Sequence, residues 1–267
     1  GNKPVDGGHL LFKTDEANTA NANDPRCDQF LKPYIGSEDA IHGKRRYCLW
    51  ISEEQKEVAM QIPLIAKRID AVREMRLASK KPMTQKSALT AHAFQQRRQK
   101  GVERLIVVPR HSSENRAYLP VTLSPPGTII SDATFAFFDA PLWNMALFAS
   151  RLHLVWVACV CGKIKTDYRF SSTLGWNTFP VPILTKSNKE DLSRSAKEIL
   201  IARESHFPAT VADLYVQDNT PANLRDAHEL NDEIIERIYI GRRFKNDSER
   251  LEKLFEMYTK ITSKESA

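Results

Sequence analysis

Glu114 and Arg116, two residues apart in the run RHSSENR over 110–116, are the side chains whose types and spacing point most directly to recognition chemistry. An ionised carboxylate only accepts hydrogen bonds, whereas a guanidinium only donates them, in a rigid fork. In an extended segment residues two apart face the same way, so the two present an acceptor and a forked donor side by side. Such a pair can read both partners of a C·G base pair in the major groove, the carboxylate taking the cytosine N4 amine and the guanidinium taking guanine O6 and N7. The same residues are consistent with an ordinary surface hairpin carrying a weak i,i+2 ion pair.

The elements expected to position them are two strands. Leu105 to Val108 is a short apolar, β-branched run, Pro109 stops it, and Tyr118, Leu119, Val121 and Leu123 read as its return. A polar loop framed by two strands is a rigid place to display recognition groups.

With 267 residues, 42% of them apolar and 27% charged, the chain has the make-up of a soluble globular protein of one large or two modest domains. Cys27, Cys48, Cys159 and Cys161 form no CxxC pair and no spaced Cys/His set, which suggests neither zinc nor a disulfide framework and fits a reducing compartment. The first residues hold no apolar signal core. The longest greasy stretch, 141–161, is interrupted by Asn144, Arg151 and His153. A cytoplasmic, non-membrane protein is expected.

Charge is unevenly spread. Residues 62–116 carry thirteen Lys/Arg against four acids, while 187–261 carry twelve against fifteen. A concentrated basic segment beside a mildly acidic one fits one polyanion-facing surface, and it also fits solvated helix faces. Within the basic segment Arg73, Arg76, Lys80, Lys81 and Lys86 are joined by Ser79 and Thr84, the mixture of cations and hydroxyls that phosphate contacts use.

Along the chain, residues 1–25 read as linker and loop, suggesting a join with something upstream. Pro33 and Gly36 punctuate the start of a mixed α/β region over 26–185, with a strand over 46–51, Trp50 in its core, and a helix after Ser52 that Pro63 kinks or restarts. Phe135, Phe137 and Phe138 read as core. A helix from Pro141 carries Leu142, Met145, Ala146, Ala149, Leu152 and Trp156, with His153 as a core histidine. Pro180 and Pro182 exclude a central strand there. Over 186–267 three amphipathic helices are expected, giving an α+β protein with a helical C-terminal domain. Its interleaved charges fit packing or docking. GxGxxG, Walker, GxSxG and HExxH patterns are all absent, so no catalytic residues and no metal ligands are assigned.

The segments KPYIGSEDAIHGKRRYCLW, VREMRLASKK, VVPRHSSENRAYLP, GKIKTDYRFSS with NTFPVP, and ADLYVQDNTPANLRDAHELND, taken in this order, resemble the C-terminal part of the MmeI-like, type IIL restriction-modification enzymes and their DNA adenine methyltransferase relatives. The resemblance implies a DNA target recognition domain followed by a helical C-terminal unit. It implies double-stranded DNA and the methyltransferase domain of the same chain as partners. S-adenosylmethionine is then held in that upstream domain and no cofactor in this chain, which alone is not an enzyme. Its parent would be an adenine-N6 DNA methyltransferase, with or without a fused nuclease. The family's two base-choosing positions fall on Glu114 and Arg116, with Asn115 and Tyr118 as further candidates. Arg73, Arg76, Ser79, Lys80, Lys81, Lys86, Arg110, Ser112, Ser113, Lys163, Lys165, Tyr168 and Arg169 are the expected backbone contacts. The turn VTLSPPG after Pro120 departs from the family's shorter glycine-containing link. A protein-interaction module that meets an acidic partner, and a hydrolase with scattered catalytic residues, are the alternatives; salt-dependent binding to duplex DNA separates them from the first reading.

Overall fold

The structure, a computed structural model, describes residues 1–216 and 219–265. Gln217 and Asp218 of the VQDN run, and Ser266 and Ala267 at the end of the expected helical domain, lie outside the described residues. In chain order the elements are β1 (Leu11–Lys13), α1 (Thr14–Asn23), β2 (Leu31–Ile35), α2 (Ser37–His42), β3 (Arg46–Leu49), α3 (Lys56–Met60), α4 (Pro63–Leu77) and α5 (Pro82–Lys86). There follow β4 (Leu105–Pro109), β5 (His111–Ser112), β6 (Thr122–Ser124), β7 (Ile129–Ile130), β8 (Thr134–Phe138), α6 (Trp143–Phe148) and α7 (Arg151–Val160). The last are β9 (Lys163–Ile164), β10 (Asp167–Arg169), α8 (Lys186–Glu204), α9 (Val211–Leu214), α10 (Ala222–Ile240) and α11 (Asp247–Glu265). The fold is α+β, as the sequence leads one to expect. Among the described residues no helix is long and apolar enough to cross a membrane.

The chain forms two compact units, one of residues 1–105 and 123–139, the other of 106–122 and 140 onward. The second unit continues through residue 185.

In the first unit a sheet runs β1-β3-β2-β7, antiparallel except for β2 and β7, which are parallel with Tyr34 opposite Ile129. Pro33 lies inside β2 rather than ending it. Pairing with β7 begins only at the next residue, Tyr34, which leaves room for a residue that lacks an N–H. Residues 1–25 are no linker: β1 and α1 occupy them, and Leu10, Phe12, Ala17 and Ala20 join the core with Phe30, Leu49, Trp50, Ile51 and Phe94. Buried Asn2 explains why even the first residues are ordered. Its amide donates to Gln99 Oε1 (2.6 Å) and the Ile130 carbonyl (2.8 Å) and accepts from Arg98 N (2.7 Å).

The helix expected after Ser52 restarts at Pro63, which takes the first position of α4 behind an extended Ile62. Its buried stripe is Ile65, Ile69, Val72 and Arg76, at spacings of four, three and four. Phe135 and Phe137 of β8 are only half-buried and Phe138 is exposed, so these aromatics are not core. Their rings carry more surface than this strand encloses, and Thr134 is its one buried residue.

In the second unit the helix expected from Pro141 is two. Ser150 breaks it, capping α7 by accepting the His153 N–H at 3.1 Å. His153 is indeed a core histidine: fully buried, it sits among the rings of Phe148, Phe170, Trp176 and Phe179. A second cluster packs Tyr118 and Ala149 with Ile199, Leu214, Tyr215, Leu224 and Ala227, residues drawn from α8, α9 and α10 and the chain beside them.

Candidate nucleic-acid interface

The polar loop is mounted on a small three-stranded sheet of order β5-β10-β9. Ser112 lies opposite Tyr168 and His111 opposite Arg169, while Tyr168 pairs in turn with Lys163. The pairing continues where Phe170 N donates to the Arg110 carbonyl at 2.8 Å. The expected return strand is present but begins only at Thr122, in β6, a neighbour of β4 in the sheet order β6-β4-β8. The partner of β5 is a strand far along the chain, and 118–121 forms no strand.

Ser113 to Arg116 closes as a turn. The Arg116 N–H donates to the Ser113 carbonyl (3.2 Å), the Asn115 N–H to Ser113 Oγ (3.3 Å), and the Glu114 N–H to Asp167 Oδ1 on β10 (3.4 Å). Serine at the first turn position suits this, since its hydroxyl satisfies a backbone donor two residues on. In a turn the period-two rule does not apply, so side-by-side display of Glu114 and Arg116 by strand alternation is corrected. Glu114 and Asn115 are exposed and Arg116 is half-buried.

Basic groups share the small sheet and its hairpin with the turn. Lys163 Nζ stands 4.0 Å from Glu114 Oε2 and 5.7 Å from the centre of the Tyr168 ring. Lys165, at the tip of the β9–β10 hairpin, holds φ of +56°, a conformation unusual outside glycine, and its side chain is exposed, as is that of Arg169. Arg110, Ser113 and Tyr168 are half-buried. An exposed ion pair such as Lys163–Glu114 contributes at most about 1 kcal/mol, so either partner is readily given up to another ligand.

Three expected contacts sit elsewhere. Tyr118 is buried, its hydroxyl donates to Asp232 Oδ2 (2.9 Å) and its ring stacks on His228 with centroids 4.0 Å apart, so it faces protein rather than a base. Ser112 is buried on β5, where the pleat turns its side chain inward. Arg76 is wholly buried and all its donors are spent on carbonyls: Nε on Val5, Nη1 on Ser87 and Thr90, Nη2 on Pro4 and Ala93. Nothing remains of it for a phosphate.

The other expected contacts of the first unit lie near the end of α4 and in α5. Lys80, Lys81 and Lys86 are exposed, Arg73 is paired with Asp70 at 2.6 Å, and Ser79 Oγ accepts the Lys81 N–H at 3.2 Å. Among the described residues no group of three His, Cys, Asp or Glu side chains could hold a metal ion.

Sequence reasoning missed the supports of the turn. Asp167 catches Glu114 N from β10, and Asp232 catches Tyr118 from α10. Burial drives the Asp232 carboxyl up to about 7, against the Arg151 N–H and the Tyr118 hydroxyl that donate to it. Asp232 sits at a helical position among other acids, and its partner is remote in the chain, so no local pattern could have marked it.

A polar turn set on a small basic sheet, with long helices after it, has the form of a recognition module. The chain belongs to the MmeI family: residues 1–183 match its target recognition domain and residues 184–265 its C-terminal domain. It is 39% identical over 264 residues to DNA methyltransferase A of Bacillus subtilis (strain 168), covering 99% of this chain and 30% of that protein. It is also similar, with a TM-score of 0.91 and 31% identity, to the type IIL restriction-modification enzyme MmeI solved in complex with DNA, over 98% of this chain and 35% of the other. The chain thus spans about a third of the length of these relatives.

Proposed function

We propose that this chain is the sequence-reading module of a site-specific DNA methyltransferase, and that the turn from Ser113 to Arg116 reads base edges of duplex DNA. The observation that carries the reading is the exposed Glu114–Asn115 tip, fixed by backbone bonds to Ser113 and Asp167 and flanked by Lys163, Lys165 and Arg169. An acceptor at 114 and a forked donor at 116 match the C·G pair. The lysines, with Arg169, Arg110, Ser113 and Tyr168, supply phosphate contacts that set orientation without reading sequence. In the first unit Lys80, Lys81, Lys86, Arg73 and Ser79 do the same. The resemblance to an enzyme solved with DNA supports this assignment.

The parent protein transfers a methyl group to adenine N6, with or without a fused nuclease. That chemistry needs the target base turned out of the duplex, so a module that clamps and reads the DNA is required beside the catalytic domain. The methyl donor, S-adenosylmethionine, belongs to that domain, and this chain supplies none of its binding residues. The reading region ends near residue 185 and the helical region follows it, in a protein of the cytoplasm.

The test is Glu114→Lys combined with Arg116→Asp in the full-length protein, with methylation mapped over randomised sites. The swapped pair faces a G·C pair in the reverse orientation, so preference at one position changes from C to G while activity persists. Unchanged site preference overturns the reading.

A further inference from the structure

The limb that leaves the reading turn, Ala117 to Val121, lies outside any strand, and side chains from three helices of the same unit hold it instead. Arg151 of α7 donates to the Ala117 carbonyl (3.4 Å) and Arg203 of α8 to the Val121 carbonyl (2.5 Å). Between them Tyr118 is gripped twice by α10, through its hydroxyl on Asp232 and its ring on His228, whose planes lie 15° apart. His228 and Asp232 are four residues apart and share one face of that helix.

Each grip is itself fixed. Asp232 Oδ1 accepts the Arg151 N–H at 2.8 Å. His228 Nδ1 lies 3.1 Å from the Ala149 carbonyl and its Nε2 lies 2.6 Å from Tyr215 Oη. Arg203 also donates to the Tyr215 hydroxyl. Filling this space needs only a ring, which phenylalanine would supply. A carboxylate 3% exposed is a poor device for stability, because its desolvation offsets most of what its bonds contribute. What it does confer is direction: Tyr118 can occupy only the orientation that reaches it.

We propose that His228 and Asp232, acting on Tyr118, are positioning residues for the reading turn, so that the helical C-terminal region sets how sharply Glu114 and Arg116 choose their base pair. Tyr118 follows Arg116 by two residues, too few to absorb a displacement of its ring without moving the turn. The inference rests on the reading of Glu114 and Arg116 given above.

The experiment compares full-length wild type, Tyr118→Phe, Asp232→Ala and Asp232→Asn in competition binding. The competitors are the preferred duplex, a duplex changed at the pair read by Glu114 and Arg116, and duplexes changed at each other position. Tyr118→Phe and Asp232→Ala are expected to lower discrimination at that one pair roughly tenfold, the scale of a lost hydrogen bond to a charged group, with discrimination elsewhere retained. Asp232→Asn keeps an acceptor for Arg151 N and a donor for the Tyr118 oxygen, so it should behave as wild type. If Asp232→Ala fails to fold, Tyr118→Phe, which removes one hydroxyl, decides. Intact discrimination, or an equal loss at every position, overturns the positioning role. The Glu114→Lys, Arg116→Asp variant separates the two ideas: should it leave base preference unaltered, the reading itself fails and this inference falls with it.

Discussion

The guanidinium of Arg76 donates to the carbonyl of Val5 at 2.9 Å, and Val5 holds φ of +49°, a conformation in which a β-branched residue is strained. The neighbouring Pro4 carbonyl is caught by the same side chain at 2.8 Å. Arg76 therefore fastens the start of the chain to α4 while its other bonds close over Ser87, Thr90 and Ala93. A cation beside three others at the end of a basic helix is, in this case, part of the interior.

Arg76→Met should cost about 3–5 kcal/mol of stability, since five carbonyls lose their donor at once. Lysine cannot reproduce the fork and should recover only part of this. Urea unfolding midpoints measure the effect, and a loss below about 1 kcal/mol would contradict the role.

His153 gives the second unit a pH dependence of definite sign. Complete burial among aromatic rings lowers its pKa to about 4, although the Phe148 and Gly175 carbonyls at 3.2 and 3.0 Å pull the other way. The unfolded chain, with an ordinary histidine near 6.5, then binds the extra proton first as the medium is acidified. Stability from this residue is complete above about pH 6.5 and is lost between there and about 4, by up to roughly 3 kcal/mol. His153→Gln should flatten that part of the profile in chemical denaturation at stepped pH. A steeper acid loss in the variant than in wild type would mean that the buried ring is a cation.

How much of this was legible in the sequence divides along the distance between partners. The break at Pro63, the core places of Trp50 and His153, and the polar loop after Pro109 follow from local chemistry, because a missing N–H, a large ring and a run without apolar side chains act within a few residues. The loop's supports do not. Leu119 and Val121 look like a return strand because they are buried, yet the strand begins only at Thr122, and β5 finds its ladder on β10. Tyr118 and Arg76 have the residue types of a nucleic-acid contact, and only their remote partners, Asp232 and the Pro4–Val5 carbonyls, reveal them as interior. The order of residues 1–25 likewise depends on Asn2 meeting Gln99.

Lys80 and Lys81 offer the cleanest separation of holding DNA from reading it. Both are exposed and neither belongs to the buried stripe of α4, so Lys80→Gln with Lys81→Gln should leave folding stability within about 0.5 kcal/mol of wild type. Each phosphate contact contributes about 0.9 to the slope of log K against log salt, so the double variant should reduce that slope by up to about 2. The loss of affinity should be the same for preferred and altered duplexes, since a phosphate carries no sequence information. Arg73→Gln should change the slope less, because Asp70 at 2.6 Å already neutralises that guanidinium. Titration of binding against salt on two duplexes that differ at one base pair measures all three quantities. A loss confined to one duplex would place the lysines among the base-reading residues, and an unchanged slope would remove them from the DNA surface altogether.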